Sequence, residues 1–334
     1  MRAIKSIDGT VRVMKMGYKA ALLTLMVLKV RKERKHSSTK PAIISKYENA
    51  LVLSSGGLMG VAWHLATLKR LDLEGLIDIS EFDLRIGTSA GGIAVLALGS
   101  SISIDELIEE FKESSEKGDP RKGYVGFEFK KVNWGTVPLF LAGLKLPYLP
   151  LFFSSLLKEG ESDLYDVEEK INTLLNGKWP AYETWVVSAA SNTNERVVLN
   201  SSSGVTPGFA ASATAAVPSM FFPKSYQEKL LVDGGILSAT HLDLALAATK
   251  QKMVILTTRE GFVNPFKARS MLKFINLVKE NFDEASLQNI KLKAKLHKVK
   301  MEIHRPRKQE RAIFNSSKLF DSSQILPLIR STLS

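Results

Sequence analysis

The sequence predicts an α/β fold in which a mainly parallel central sheet is flanked by helices. Short apolar runs of strand length alternate along the chain with longer helical patterns, an order that is typical of α/β proteins. Three of the apolar runs end in glycine-rich turns, and two of these turns lead directly into helices. A hydrophobic fraction of 45% over 334 residues is sufficient for one large core with extensions.

The element boundaries follow from these patterns. Strands are predicted near residues 49–54, 83–87, 184–190, 195–200, 229–233 and 252–258. Helices are predicted near residues 58–73, 89–99, 103–116, 164–175, 207–216, 241–249 and 267–298. The run 195–200 follows a turn-forming Asn-Thr-Asn, so we expect it to return antiparallel to its predecessor. Linkers are predicted at 35–45 and 301–318.

The first glycine-rich turn runs from Ser55 to Gly60 and lies between a strand and a helix. The helix carries its apolar residues on one face and Lys69 and Arg70 on another. Free backbone N–H groups at the start of such a helix suit an anion or an oxyanion. A dinucleotide-binding loop is the alternative, although its glycine pattern would begin with glycine where this chain has serine.

The second turn is a G-x-S-x-G sequence, Gly87 to Gly91, with Ser89 at its centre. A short strand precedes it and a small, apolar helix start follows, which is the context of a nucleophile elbow. The turn strains the backbone of the central residue, so its neighbours must be glycine or nearly as small. A tight strand-to-helix turn with an incidental serine is the alternative.

The third turn, Asp233-Gly234-Gly235, follows the apolar residues 230–232. An acid in this position places a carboxylate at the carboxyl edge of the sheet, where ligand sites of α/β proteins lie. A plain Asp-Gly turn explains the same residues locally. The occurrence of three such turns in one chain favours a functional site.

Taken in order, these turns resemble the motifs of the patatin-like phospholipase family. That family combines an oxyanion loop of the form D/S-G-G-G-x-R-G, a G-x-S-x-G elbow and a D-G-G/A aspartate turn. The segment 211–223 is similar to the small-residue stretch before the aspartate strand, and residues 60–64 and 235–240 resemble a bacterial subgroup. The resemblance covers roughly residues 47–260 and implies a three-layer α/β sandwich.

The resemblance implies a carboxylic ester hydrolase of phospholipase A or lysophospholipase type that needs no cofactor. Ser89 is then the nucleophile, Asp233 is the general base of a Ser-Asp dyad, and the reaction passes through an acyl-enzyme. The implied oxyanion donors are the backbone N–H groups of Gly56, Gly57 and Met59, and the other motif positions are Gly60, Gly87, Gly91, Gly234 and Gly235.

The chain departs from the family pattern at two positions of the oxyanion loop. Ser55 replaces a glycine and Met59 replaces an arginine. If the arginine acts through its charge, its loss slows turnover; if its backbone N–H is what matters, methionine can substitute. A catalytically weak lipid-binding or scaffolding protein on the same fold is therefore the alternative function.

A Ser-Asp-His triad is the alternative mechanism, since the chain order permits a histidine after the serine and the aspartate. We expect His241 to have a capping or solvent role, His297 and His304 to be solvated in a lysine-rich tract, and His64 to be a packing residue. The histidines have no metal-ligand spacing and the chain has no cysteine, so no metal site is predicted.

The net charge of +12 is concentrated at the two ends of the chain. Residues 1–40 hold eleven Lys and Arg against two acidic residues, and residues 291–311 hold nine against two. The apolar run 20–28 is too short to span a bilayer and is followed by charges rather than by a cleavage site.

We therefore expect a cytoplasmic or peripheral membrane protein whose lipid substrate and basic ends bring it to an anionic membrane surface. Helices that pack on the domain and expose their lysines are the alternative. Nucleic acid is not an expected partner because no binding motif accompanies the basic ends, and the sequence leaves a protein partner unknown.

These observations divide the chain into a basic N-terminal extension (1–45), a catalytic domain (46–262) and a basic helical C-terminal extension (263–334). An insertion at about 118–162 interrupts the catalytic domain, and residues 124–153 hold eight of the chain's 27 aromatic residues. Such an insertion suits an acyl-chain pocket or a lid, with an ordinary helical cap as the alternative.

Overall fold

The computed structural model describes residues 46–116, 163–193, 195–218, 220–264, 271–314 and 322–334. The larger of two compact units comprises Ile43–Glu260 and Ala294–Ser334, and of the smaller unit the structure describes residues 261–264 and 271–293. The predicted N-terminal extension, 1–45, and the aromatic insertion near 118–162 lie outside the described residues.

The larger unit is built on a sheet to which the described residues contribute eight strands. These are β1 (Tyr47–Leu53), β2 (Leu84–Thr88), β3 (Glu183–Ala190), β4 (Glu195–Leu199), β5 (Lys224–Tyr226), β6 (Lys229–Asp233), β7 (Thr249–Leu256) and β8 (Lys300–His304). The six predicted strands are all present, whereas β5 and β8 were not predicted.

Helices alternate with these strands. They are α1 (Gly57–Leu73), α2 (Ala90–Ala97), α3 (Ile104–Glu116), α4 (Tyr165–Leu175), α5 (Pro207–Ala215), α6 (Leu242–Ala248), α7 (Met271–Leu296), α8 (Lys308–Ile313) and α9 (Ile325–Leu333). Short 3₁₀ turns lie at Ile79–Glu81, Gly234–Ile236 and Ser322–Gln324. The seven predicted helices are present within a few residues of their predicted bounds.

The sheet is parallel at its centre and antiparallel at one end. Hydrogen-bonded neighbours follow the path β5-β6-β3-β2-β1-β7-β8, and β4 pairs with β3. The pairs among β3, β2, β1, β7 and β8 are parallel, while β3–β4, β3–β6 and β5–β6 are antiparallel. The expected α/β class and the antiparallel return of β4 are therefore confirmed.

The core lies against the parallel strands. All of β2 is buried, as are residues 50–53 of β1 and 253–256 of β7. Such continuous burial is typical of parallel strands that helices cover on both faces. Helix α1 is buried on every side from Leu58 to Leu68, so the prediction of a single apolar face was wrong. A helix that is apolar on all sides is a core helix.

The C-terminal part of the larger unit corrects the predicted linker at 301–318. This range contains most of β8, which pairs in parallel with β7, and all of α8. Helix α9 packs on α1 through the buried residues Leu328 and Ile329. A five-residue edge strand flanked by lysines gives little periodic signal, which is why the sequence did not reveal it. Strand β8, at one end of the sheet, thus belongs to the segment that the sequence predicted to be a C-terminal extension.

In the smaller unit, α7 buries Leu287 and Ile290. The side-chain amide of Asn281 accepts from the Val263 N–H and donates to the Val263 carbonyl, each at 2.8 Å. Among the residues that the structure describes, no helix combines the length and the hydropathy that a bilayer crossing requires.

Candidate active site

Ser89 lies in the turn between β2 and α2. Its backbone has φ 53° and ψ −120°, a conformation that costs a non-glycine residue about 1–3 kcal/mol and that nucleophile elbows require. A Cβ at Gly91 would lie 2.0 Å from the Leu53 carbonyl oxygen, and one at Gly87 would lie 2.3 Å from the Gly91 carbonyl oxygen. Both glycines are therefore needed for the close approach of backbone to backbone around Ser89.

A buried threonine fixes the elbow from the other side. The Ser89 N–H donates to Thr214 Oγ1 at 2.9 Å, and the Thr214 hydroxyl donates in turn to the Val187 carbonyl. Thr214 belongs to α5 and Val187 to β3, so the elbow is tied to two elements outside its own strand and helix. This relay holds the strained residue in place.

The oxyanion loop joins β1 to α1. Gly57 has φ 62°, and the first helical bond runs from the Gly60 N–H to the Gly56 carbonyl at 3.0 Å. The N–H groups of Gly57 and Met59 precede this bond, so the helix does not use them. Gly57 is half-buried in a loop whose other glycines are buried, which leaves this part of the loop accessible.

The loop and the elbow are joined directly. The Ser54 carbonyl accepts from the Gly91 N–H at 3.1 Å and from His64 Nε2 at 2.8 Å. Thr258, after β7, donates its N–H to Ser54 Oγ at 3.0 Å and its hydroxyl to the Ser55 carbonyl at 2.8 Å. The backbone of the loop is therefore fixed by both the elbow and a neighbouring strand.

Asp233 ends β6 and is 6% exposed, as is Ser89. Its Oδ1 accepts from the Gly235 N–H at 2.6 Å, which orients the carboxylate. A Cβ at Gly234 would lie 3.1 Å from Thr88 Cγ2, and one at Gly235 would lie 3.2 Å from Ser55 Oγ. The aspartate turn thus contacts both the end of β2 and the oxyanion loop.

Strand β3 places the serine and the aspartate together. Thr88, the last residue of β2, pairs with Val187, and Asp233 pairs with the next residue, Ser188. Val187 and Ser188 also pair with β4, which occupies one edge of β3. Because a strand has only two edges, β2 and β6 must share the opposite one. The two strands run toward each other along this edge and end at adjacent positions, where Ser89 and Asp233 begin their turns.

The two departures from the family pattern have different surroundings. Met59 is fully buried, and its side chain belongs to the hydrophobic core beneath the loop. Ser55 is half-buried beside Gly235. The side chain of residue 59 therefore contributes to packing in the core.

His241 and His304 are more buried than the sequence predicted. His241 is 1% exposed; its Nε2 lies 3.1 Å from the Gly234 carbonyl oxygen and its Nδ1 lies 3.5 Å from Arg196 Nη1. His304 lies on β8, where burial lowers its pKa. His241 is the N-cap residue of α6, but it is buried and its side chain makes no capping hydrogen bond, so neither the capping nor the solvent role expected of this side chain is present. The expected solvation of His304 was wrong as well.

His64 is fully buried, as expected of a packing residue, and burial lowers its pKa to about 4. Burial, followed by the charge of Arg196, lowers the pKa of His241 to about 4 as well. Both rings are therefore neutral at pH 7. Across the described ranges, no three His, Asp or Glu side chains converge to form a group that could hold a metal ion.

Sequence reasoning missed Thr214 and Thr258, the two threonines that anchor the elbow and the loop. Thr214 lies in the small-residue segment 211–223, where a threonine among alanines on a buried helix was the available signal. Thr258 follows an apolar strand and gave no comparable signal.

Comparisons with known proteins identify a family and a group of similar solved structures. The model of the family described as patatin-like phospholipase matches residues 51–246. The chain is similar to VipD from Legionella pneumophila, with 15% identity and a TM-score of 0.34 over 86% of this chain and 67% of that chain. It is also similar to the type III effector protein ExoU, with 14% identity and a TM-score of 0.27 over 76% of this chain and 53% of that chain. No curated protein matches it.

Proposed function

Because the chain belongs to the patatin-like phospholipase family, whose members are lipid acyl hydrolases, we propose that it cleaves phospholipid or lysophospholipid acyl esters with a Ser89–Asp233 dyad. The observation that best supports this proposal is the register on β3, which brings the ends of β2 and β6 to adjacent positions. The matched range, 51–246, includes both residues and the oxyanion loop.

In the proposed reaction, Ser89 Oγ attacks the ester carbonyl while Asp233 takes the serine proton. The tetrahedral oxyanion accepts hydrogen bonds from the backbone N–H groups of Gly56, Gly57 and Met59. When the intermediate collapses, the C–O bond to the alcohol breaks and Asp233 returns the proton to the leaving alcohol. Asp233 then takes a proton from water as the water oxygen attacks the acyl carbon. The bond from this carbon to Ser89 Oγ breaks, Asp233 returns the proton to Oγ, and the fatty acid leaves.

The contacts of the buried histidines favour the dyad over a triad. The Gly234 carbonyl can only accept a hydrogen bond and the Arg196 guanidinium can only donate one, so both nitrogens of His241 already have partners. His64 Nε2 is occupied by the Ser54 carbonyl, and its Nδ1 is buried and makes no hydrogen bond, so the ring is not bonded to the Ser89 hydroxyl. A general base for serine must instead have a free acceptor atom within reach of the hydroxyl.

A catalytically weak lipid-binding or scaffolding protein is the second candidate, and the observation that favours it is Met59. The side chain is buried in the core, so this residue brings no cation to the oxyanion. If the charge of the family arginine is essential, the chain binds lipid but turns it over slowly.

We also propose that the protein works at an anionic membrane surface. At the end of α7, Lys295 and Lys298 are exposed and Leu296 is 76% exposed, an apolar side chain between cations. Basic and apolar side chains together favour anionic lipid interfaces. Binding to vesicles should therefore require phosphatidylserine and weaken with salt; equal binding to phosphatidylcholine vesicles would contradict the proposal.

The main experiment combines a fluorophosphonate probe, which labels activated serines, with hydrolysis of a phospholipid panel. The wild type should be labelled and active, Ser89→Ala should lose both properties, and Asp233→Asn should lose nearly all activity while folded by circular dichroism. Ser201→Ala, at an exposed serine, is the matched control and should behave like the wild type. Activity in Ser89→Ala would exclude the dyad, and a folded but unlabelled wild type would favour the lipid-binding alternative.

A further inference from the structure

His241 is a buried side chain that the proposed mechanism does not use. It lies immediately before α6 and is 1% exposed. Its backbone has φ 48° and ψ 41°, the left-handed conformation, which is uncommon for residues other than glycine. A residue keeps such a conformation when its surroundings determine it, and here the surroundings include the contacts of the ring.

The contacts of the ring define its tautomer. Nε2 lies 3.1 Å from the Gly234 carbonyl oxygen, which only accepts, so Nε2 must carry the hydrogen. Nδ1 lies 3.5 Å from Arg196 Nη1, which only donates, so Nδ1 must be bare. Arg196 is itself held by both carboxylate oxygens of Asp243 at 2.8 Å. The Gly234 carbonyl and the Arg196 guanidinium therefore both favour the neutral tautomer that carries its hydrogen on Nε2.

The charges around the ring preserve this state. Burial and the Arg196 charge lower the pKa of His241 to about 4, while Asp243 and the Gly234 carbonyl act in the opposite direction. The ring therefore stays neutral at and above pH 6, and the Nε2–H donor does not change across the range in which a serine hydrolase works.

The acceptor of this hydrogen bond lies within the aspartate turn. Gly234 separates Asp233 from Gly235, whose N–H donates to Asp233 Oδ1 at 2.6 Å. The Gly234 carbonyl also accepts from the Leu237 N–H at 3.0 Å and from the Ser238 N–H at 3.3 Å. The Gly234 carbonyl thus accepts the backbone hydrogen bonds that close the turn, and the His241 ring donates a further hydrogen bond to it from a side chain.

We infer that His241 is a positioning residue: its hydrogen bond to Gly234 holds the turn so that the Asp233 carboxylate meets Ser89. Arg196 and Asp243 extend the support from the surface to the ring. This inference rests on the proposed function, because a positioned base matters only if Asp233 is a base. A displacement of about 1 Å at a catalytic group can cost about 100-fold in rate.

The test compares two substitutions of His241. His241→Asn tolerates the left-handed backbone, but its side chain is too short to reach Gly234. His241→Gln has a longer side chain whose amide N–H can take the place of Nε2–H. We expect kcat to fall about 10- to 100-fold in His241→Asn with KM within about 3-fold, and to recover to within about 5-fold of wild type in His241→Gln.

Fluorophosphonate labelling and thermal unfolding of the same proteins separate the outcomes. A His241→Asn protein that unfolds at lower temperature but keeps its kcat and labelling rate would show a purely structural role and overturn the inference. Equal losses of kcat in both variants would overturn it as well. A folded wild type that is neither labelled nor active would instead refute the proposed function, and with it this inference.

Discussion

The nucleophile elbow and the oxyanion loop have the same architecture, but the proposed role of the elbow depends on a side chain and that of the loop depends on the backbone. Each consists of a buried strand, a glycine turn and a helix. In the elbow the proposed role belongs to one side chain, Ser89, on a strained backbone. In the loop the proposed role belongs to backbone N–H groups, while the Met59 side chain is buried in the core. We therefore expect a substitution of Ser89 to be decisive, whereas in the loop its effect should depend on whether the backbone is preserved.

The two turns also have different anchors. Thr214 holds the elbow by accepting from the Ser89 N–H, and a threonine hydroxyl does not titrate in the physiological range. His64 holds the loop through the Ser54 carbonyl, and a histidine does titrate. The N–H of Gly91, in helix α2 of the elbow, donates to the same Ser54 carbonyl. This carbonyl therefore links the loop to the elbow.

Acid should therefore lower the stability of the folded protein through His64, because the buried ring resists protonation while its Nε2–H still donates to the Ser54 carbonyl. Burial lowers the pKa of His64 from 6.5 to about 4. As the pH falls from about 6.5 to about 4, the unfolded chain binds a proton that the folded protein does not. This His64 contribution to stability is complete above about pH 6.5 and declines by up to about 1.4 kcal/mol per pH unit, roughly 3 kcal/mol in total.

Urea unfolding at a series of pH values would measure this effect, with His64→Gln as the control. Burial also lowers the pKa values of His241 and His304, so both proteins should take up protons on unfolding in acid, and the wild type should take up about one more than the variant. Identical pH dependence in the two proteins would show that His64 is not the titrating anchor.

Removal of the elbow anchor should have the next largest effect. Thr214→Val leaves the Ser89 N–H without its acceptor and should cost about 1–3 kcal/mol of stability. Ser89 should also move from its reactive position, so we expect kcat to fall about 10-fold or more. Thr214→Ser keeps the hydroxyl and should retain most of the activity. Equal activity in the valine and serine variants would mean that the threonine hydroxyl does not position the elbow.

Replacement of Met59 should have the smallest effect, because its side chain lies in the core. Met59→Leu conserves volume and hydrophobicity, so we expect a stability change below about 1.5 kcal/mol and kcat within about 3-fold. Steady-state hydrolysis and thermal unfolding would measure both quantities. A large loss of kcat without a loss of stability would show that the thioether itself acts in the site.

Much of the fold and the site could be predicted because the relevant constraints are local. The central strands are continuous apolar runs, and the turns after β1 and β2 need glycine at fixed positions. A Cβ at Gly91, 2.0 Å from the Leu53 carbonyl oxygen, shows how strict this requirement is. The family match over residues 51–246 confirms the resemblance that these motifs predicted. The catalytic roles of Ser89 and Asp233 stay predictions until the variants are measured.

The parts that could not be predicted depend on contacts between distant residues. Glu310, in the predicted linker, is 1% exposed and accepts from Trp63 Nε1 at 2.8 Å. It also pairs with Arg307, which donates to the carbonyls of Ser331 and Thr332. A polar, basic stretch gave no sign that one of its carboxylates would be buried beside the helix of the oxyanion loop.

The sequence by itself determined the α/β class, the order of the three turns and the residue types that each turn presents. Periodicity and glycine sterics act over a few neighbouring residues and can be read from them. The tertiary structure decided that β2 and β6 end at adjacent positions on β3, that Thr214 and His64 anchor the turns, and that His241 is buried beside the aspartate turn. These features require residues far apart in the chain to meet, and strand register and burial, which no local pattern encodes, determine which of them do.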